Sequence, residues 1–491
     1  MNREPDLAHV PSLFLRDLIT LAQRPDFDRI TAAVESVGGC ARPIQLLGST
    51  TTLDTATGEV LHHFDTRNEP FGRVLVACGN RRATRCPSCS ATYAADTYQL
   101  IKAGLAGGKD IPATVTDHPR VFATLTAPSY GAVHNQPTNK KTKKRYPCRC
   151  GTRHHDADPA IGTPLDPTTY DYAGAVLFNA HAGALWARFT TYLRREVAKA
   201  AGLTGKELRE QARLSFAKVA EFQKRGLVHF HAIIRIDGPQ GPTDTPPPWA
   251  TVELLTKAID NARMSSTLTV TSDAVGERCL RWGKEADVRP IVTKQPGDDE
   301  PLTDQRVAAY VAKYATKSAE TSGTVDRSLH CAPCNGRGRV ATPAGLSTQC
   351  DHCQGTGQAE TIRHLAVADH TRTMIRTCWD LGGLPEFAEL KLWKWAHMLG
   401  FKGHFSTKSR RYSTTLGTLR NARRTWRAEH TRARLGLPAV DHATTLVVAD
   451  WRFLGTGYTP GEYVLAQTVA ENREIRRQLK REGAYEGSTS D

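Results

Sequence analysis

The sequence predicts an α+β protein, and three observations carry that prediction. Two strand-like runs, LSFAKVAEFQ (214–223) and VHFHAIIRID (228–237), lie on either side of KRGL and read as a hairpin. From Tyr172 to about Ala201 the pattern turns helical, with Val176, Leu177, Ala180, Leu185, Trp186, Phe189 and Leu193 recurring at near-helical spacing. A second helical run, DQRVAAYVAKYATKSAE (304–320), follows the hairpin after a Pro-rich linker, GPQGPTDTPPPWA (238–250). The other elements fall around these. Residues 1–70 read as helix and then strands, and a helix starts near Ser90 with Tyr93 and Tyr98 inside it. RVFATLTAPS (120–129) reads as a strand ended by Pro128, and NQPTNKKTKKRYPCRCGTRHH (135–155) as a basic loop. A helix (251–264), a strand near 287–293 and a helix near 304–319 come next, then a compact Cys/Gly module at 331–357. The remainder reads as mainly helical and basic, with one strand at TTLVVADW.

The 491 residues suffice for two to four domains. A formal net charge of +15 points to a polyanionic partner, nucleic acid first. The first twenty residues lack the basic-then-apolar order of a signal peptide, and no apolar run approaches the roughly 20 residues of a membrane span. A cytoplasmic protein with no membrane partner is expected. Twelve cysteines in such a chain, several in C-x-x-C pairs, indicate metal sites rather than disulfides.

Alternate side chains of a strand share a face. His229 and His231 therefore lie together, while Phe230, Ala232, Ile234 and Ile236 face a core. In the preceding strand Glu221 and Gln223 share one face, Ala220 and Phe222 the other. With residues 224–228 as the loop, Phe222 is expected opposite Phe230, Glu221 opposite His231, and Gln223 opposite His229. Two imidazoles and a carboxylate suit Mg²⁺, Mn²⁺ or another divalent ion with open positions. Two histidines on the wet face of a half-buried strand is the bland alternative.

In the later helix Tyr310 and Tyr314 are four apart and share a face, as do Lys313 and Lys317. Aromatics at this spacing are commonly core. Beside an H-x-H strand, they also supply a nucleophile and its neutralising charge for phosphoryl chemistry. The succession of FATLTAPS, HFH and YVAKY, spanning about 120–320, resembles the HUH endonucleases that start rolling-circle replication. The whole chain looks most like plasmid replication initiators of actinomycetes, and its two tyrosines resemble the two-tyrosine branch known from small single-stranded DNA phages.

The resemblance implies an HUH core: a central five-stranded antiparallel sheet flanked by helices. It implies that Tyr314 or Tyr310 attacks the origin phosphodiester, leaving a 5′-phosphotyrosine and a free 3′-OH, while the other cleaves when the replicated strand is closed. His229 and His231 match the family's metal ligands. Glu221 matches the third in some branches, with Gln223 as its replacement. Related viral initiators carry a helicase, but GLAGGKD and GLTGKEL both fail the phosphate-loop pattern, so a host helicase and a host DNA polymerase are the expected partners at plasmid origin DNA.

Cys331, Cys334, Cys350 and Cys353 lie in two C-x-x-C-x-G-x-G halves, a spacing that indicates one structural Zn²⁺. The repeat resembles half of the zinc region of DnaJ-type chaperones. A second site is expected at Cys78, Cys86 and Cys89, with Cys148, Cys150, His154 or His155 as the fourth ligand. Cys40, Cys279 and Cys378 read as ordinary buried thiols. Two basic patches are candidates for DNA binding, although charge runs are often solvated faces. One contains Lys143, Lys144 and Arg145; the other, STKSRRYSTTLGTLRNARRTWR (406–427), contains Arg411, Tyr412, Arg420, Arg423 and Arg424.

The expected organisation is an N-terminal region with a cysteine cluster (1–115), a nuclease core (116–325), a zinc module (326–360) and a helical basic region (361–491). The expected activity is metal-dependent, tyrosine-nucleophile nicking and rejoining of one origin strand. A two-tyrosine transposase and a non-catalytic zinc-containing DNA-binding regulator are the competing readings.

Overall fold

The computed structural model describes residues 7, 9–139, 142, 144–284, 286–292, 303–317, 322–341, 345–434 and 444–486. They belong to two compact units, one formed by 1–96 with 416–491 and the other by 97–415. The architecture is α+β with antiparallel sheets.

In the larger unit the elements that matter are β1 (Arg120–Leu125), α1 (Tyr172–Ala200), β2 (Arg213–Phe222), β3 (Val228–Asp237), α2 (Val252–Ser265), β4 (Ala286–Pro290), α3 (Asp304–Ala315), α4 (Asp369–Gly382) and β5 (Ser406–Lys408). The five strands form one sheet in the order β5-β2-β3-β1-β4, and every neighbouring pair is antiparallel. Alternation explains which face is covered. Ala220, Phe222, Phe230, Ala232, Ile234 and Ile236 are all buried in one core with Leu185, Trp186 and Phe189 of α1. Each such large apolar side chain contributes about 1.5–3 kcal/mol. The α1 helix starts where Asp171 accepts a hydrogen bond from the Gly174 N–H at 2.9 Å.

The β2–β3 hairpin keeps the expected faces but not the expected register. Phe222 pairs with Val228, Glu221 with His229 and Ala220 with Phe230, two residues tighter than the sequence suggested. The turn is the reason. Gly226 adopts φ +75°, so the chain reverses within 223–227, with the Gln223 N–H donating to Leu227 O and the Gly226 N–H to Gln223 O, both at 2.9 Å. Glu221 therefore faces His229 directly, and Gln223 sits in the turn.

Lys218 of β2 points into the apolar face, with Nζ 3.8 Å from the Phe230 ring centroid and 5.6 Å from that of Trp186. Burial pushes its ammonium down to about 7 from an ordinary 10.5. The folded state thus binds fewer protons than the unfolded chain between those values, and stability rises with pH across that window. Lys218→Met is expected to stabilise the protein by about 2–4 kcal/mol below pH 7, the gain fading toward pH 10.5. Denaturant midpoints measured across pH test this, and a variant that is no more stable at pH 6 than at pH 10 contradicts it.

In the smaller unit, strand Thr445–Thr456 pairs antiparallel with Ile44–Asp54 along its length, and Val60–Asp65 and Val74–Val76 also pair with the latter. Helix Pro460–Glu486 lies against Leu13–Ala22, where Phe14 meets Tyr463 at 5.7 Å and the Gly461 N–H donates to Asp17 Oδ2 at 2.6 Å. The chain from 416 onward thus packs with the N-terminal segment, while 361–415 belongs to the larger unit. Among the described residues no helix is long and apolar enough to cross a membrane.

Candidate active site

On the face of the sheet opposite α1, Glu221 Oε2 lies 3.1 Å from both His229 Nε2 and His231 Nε2. One carboxylate and two imidazoles, each offering an atom within 4.8 Å of the others, form a donor set that fits a divalent cation with open positions. Thr124 of β1 pairs with His231 across the strands, and its Oγ1 lies 3.0 Å from Nδ1, which turns Nε2 toward Glu221. Phe122 stacks on the same ring at 5.6 Å and 7°. Neither β1 residue was singled out from sequence; both alternate along the strand FATLTAPS, but their use depends on the pairing of β1 with β3.

The hairpin turn is anchored from α1 and from the end of β1. Asn179, fully buried, donates through Nδ2 to Gly226 O and Leu399 O at 2.8 Å and accepts from the Val228 N–H at 3.0 Å. Arg225 donates to Ala127 O and Pro128 O at 2.8 and 2.9 Å. Its Nε donates to Gln223 Oε1 at 2.8 Å, so Gln223 serves the turn and does not face His229 as expected.

The α3 helix buries Val307, Ala308, Val311, Ala312 and Ala315, which leaves the adjacent stripe for the tyrosines. Tyr310 Oη lies 3.1 Å from His231 Nε2, and the Tyr310 and Tyr314 ring centroids are 4.4 Å apart. Lys317 Nζ is 3.8 Å from Glu221 Oε1 and 4.3 Å from the Tyr314 ring. Lys313 is more distant, 5.8 Å from that ring.

The helix is tied to the sheet at its first turn, where Asp304 pairs with the buried Arg120 of β1 at 3.0 Å. Asp304→Asn removes the carboxylate and leaves a buried guanidinium, an expected cost of about 3 kcal/mol. Chemical denaturation checks this, and an unchanged midpoint would show that the pair does not anchor α3.

Burial pushes the Glu221 carboxyl up, but hydrogen bonds from His229 and His231 outweigh it and hold the group at about 2. Burial is the largest influence on His231 and pushes its imidazolium down. Burial, with the neighbouring phenol and Glu221, raises Tyr310; burial and Glu221 raise Tyr314. Both phenols are protonated in the free protein.

The family model described as "Replication initiator protein, pSAM2" matches residues 26–471, a span that includes every residue of this site. The chain belongs to this family of plasmid replication initiators. It is similar to a replication initiator protein of Streptomyces ambofaciens, 52% identical over 473 residues and covering 95% of each chain. No solved structure matches it.

In this initiator-family chain the cysteines form three groups of potential ligands among the described residues. Cys331, Cys334, Cys350 and Cys353 are all buried, with Sγ–Sγ distances of 3.8 Å (Cys331–Cys350) and 3.7 Å (Cys334–Cys353). Zn–S bonds of about 2.3 Å put tetrahedral edges at about 3.8 Å, so the four thiols fit zinc. The Gly338 and Gly357 N–H groups donate to Cys334 and Cys353 Sγ at 3.3 and 3.2 Å. A Cβ at Gly338 would lie 2.1 Å from Gly355 O, and this close approach requires glycine.

The second group corrects the sequence reading. Cys78, Cys86 and Cys89 gather with Cys40, not with Cys148 or Cys150. Cys78 and Cys89 Sγ are 3.7 Å apart, Cys86 and Cys40 3.9 Å. Cys40 lies 38 residues before Cys78 in a GGC stretch with no paired cysteine, so spacing gave no signal. Cys148 and Cys150 belong to a third group, with His134 and His154. Cys378 is buried, but Cys279 is exposed.

The basic residues divide. Lys144 and Arg145 are exposed, Arg145 pairing with Asp156 at 2.8 Å; Lys143 lies outside the described residues. Tyr412 cannot stack on a base: it is fully buried, with Arg235 5.2 Å from its ring, because β5 ties this segment into the core sheet. Arg411 is exposed, and its Nη1 donates to Pro239 O at 3.4 Å. Arg420, Arg423 and Arg424, on helix Leu416–Arg434, line a cavity of about 530 Å³ with Arg427, Arg473 and Arg477. Arg423 is already engaged there by Asp96 at 2.6 and 2.7 Å.

Proposed function

We propose that this protein starts rolling-circle plasmid replication by nicking and rejoining one origin strand through a 5′-phosphotyrosine, using an HUH-type core within 116–325. The carrying observation is that Tyr310 Oη lies 3.1 Å from a histidine of the Glu221–His229–His231 group, with the Tyr314 ring packed beside it at 4.4 Å.

Held by those three residues, Mg²⁺ or Mn²⁺ would neutralise a non-bridging phosphate oxygen and fix the phosphodiester for attack. Thr124 and Phe122 keep the His231 ring in place, and Asn179 and Arg225 keep the hairpin in register, so the ligand face is preorganised. A tyrosine Oη attacks phosphorus and gives up its proton; the P–O3′ bond breaks, and the 3′ oxygen gains a proton to leave as a hydroxyl that primes synthesis. Lys317, beside both Glu221 and the Tyr314 ring, offsets negative charge as the phenol ionises. The second tyrosine repeats the transfer when the new strand is complete. Structural zinc at the cysteine groups, a host helicase and polymerase as partners, and action in the cytoplasm complete the reading.

A single-stranded origin oligonucleotide incubated with Mn²⁺ or Mg²⁺ is expected to give a covalent protein–DNA adduct that chelator prevents. Glu221→Ala/His229→Ala is expected to lose the adduct while still retarding origin DNA in a gel. An adduct formed equally well by that variant would refute the assignment.

A further inference from the structure

We propose that His134, Cys148, Cys150 and His154 form a Cys2His2 zinc clasp at the base of the basic loop, separate from the two four-cysteine groups. All four ligand atoms lie within 4.8 Å of one another. His134 Nδ1 is 3.2 Å from His154 Nε2, close to the roughly 3.3 Å edge of a tetrahedron with Zn–N bonds of about 2.0–2.1 Å. Cys150 Sγ is 3.3 Å from the same Nε2.

The opposite nitrogen of His154 is committed elsewhere: Nδ1 lies 2.6 Å from Asp158 Oδ2. A ring that gives its Nδ1–H to a carboxylate presents a lone pair at Nε2, the arrangement that orients a zinc-bound histidine. That single lone pair faces both His134 Nδ1 and Cys150 Sγ, and an ion between them would be ligated by all three. Asp158 is itself fixed, accepting the Ala160 N–H at 2.8 Å. The Cys148 pair is shaped by a tight turn in which the Gly151 N–H donates to Cys148 O at 2.8 Å and the Cys148 N–H to Thr152 O at 2.9 Å.

The clasp has a structural consequence that does not depend on nicking. It closes the chain on both sides of the segment that carries Lys144 and Arg145, and so fixes their base. The residues just after it touch the β2–β3 turn: Lys224 Nζ donates to Asp156 O at 2.7 Å, and a Cβ on Gly162 would lie 2.5 Å from the Lys224 carbonyl carbon. The clasp thus braces the basic loop against the turn of the histidine hairpin.

The test is metal content and spectroscopy of the full chain. Wild type should carry three thiolate-bound zinc ions, and Cys148→Ser/Cys150→Ser should carry one fewer. Cobalt exchanged into wild type should show, in the difference from that variant, the visible bands of a tetrahedral site with two sulfurs. His134→Cys should keep the ion and shift the bands toward three sulfurs, and Asp158→Asn should weaken zinc binding 10–100-fold. Folding failure is covered by a measurement on the native protein. Cys150 is exposed, yet its alkylation, mapped by mass spectrometry, should be about tenfold slower before chelation than after. Equal zinc content in wild type and the double serine variant, or alkylation of Cys150 unaffected by chelator, overturns the proposal.

Discussion

Tyr310→Phe/Tyr314→Phe is expected to abolish the covalent adduct with origin DNA, a loss of roughly 10⁴-fold or more in cleavage, as removal of a nucleophile commonly gives. The change should leave the fold intact. It removes the hydroxyl contacts of Tyr310 with His231 Nε2 and Tyr314 and of Tyr314 with Glu221, each worth about 1 kcal/mol, and both rings remain to pack. Origin binding and thermal midpoint serve as controls. The single variants carry different information, because the two hydroxyls have different surroundings: Tyr310 reaches His231, while Tyr314 lies beneath Lys317. One single variant is expected to lose the first cleavage and the other the closing one, seen as accumulation of nicked, unreleased product. A double variant that still formed a 5′-adduct would end the tyrosine assignment.

The second large effect is expected at Cys331, Cys334, Cys350 and Cys353. Cys331→Ser/Cys350→Ser removes one thiolate from each half of the module. A four-thiolate zinc site contributes about 10–16 kcal/mol of binding energy in small peptides, and this segment has little other core: the cysteines pack mainly on one another and on Val340. Its other support includes a pair of three-residue strands, a hydrogen bond from Trp393 Nε1 to Asn335 O at 3.1 Å, and at its base the buried Leu329 with a bond from the Ala359 N–H to Leu329 O at 2.9 Å. Residues 329–359 are therefore expected to become sensitive to protease in the variant, with loss of one zinc per chain, while the apolar core around α1 stays protected. Protection of 329–359 equal to wild type would show that the module does not rely on metal.

Much of the fold is legible in the sequence. The period of two in β2 and β3, and of about 3.6 in α1, made an α+β protein with a hairpin readable, because both periods are local properties of the backbone. What could not be read was distance. Strand Thr445–Thr456 reads as a strand, but nothing in it names Ile44–Asp54 as its partner nearly 400 residues away. Tyr412 sits among arginines and hydroxyls in the sequence, yet is core, because β5 pairs with β2 and carries it inward.

The candidate site shows the same division. Sequence alone determined that His229 and His231 share a face, since alternation fixes parity within a strand, and matching the apolar Ala220 and Phe222 to Phe230 put Glu221 on that face as well. It also determined the composition of the Cys331–Cys353 cluster, whose ligands all lie in one short stretch. Tertiary structure decided the rest. The turn at Gly226 set the register and placed Glu221 opposite His229. Pairing of β1 with β3 brought Thr124 to His231, and the Arg120–Asp304 pair tied α3 to the sheet that carries the histidines. Cys40 joined Cys86 across 46 residues, and His134 joined His154 across a loop. Apart from the Gly226 turn, these contacts depend on chain closure over longer separations, which no local pattern records.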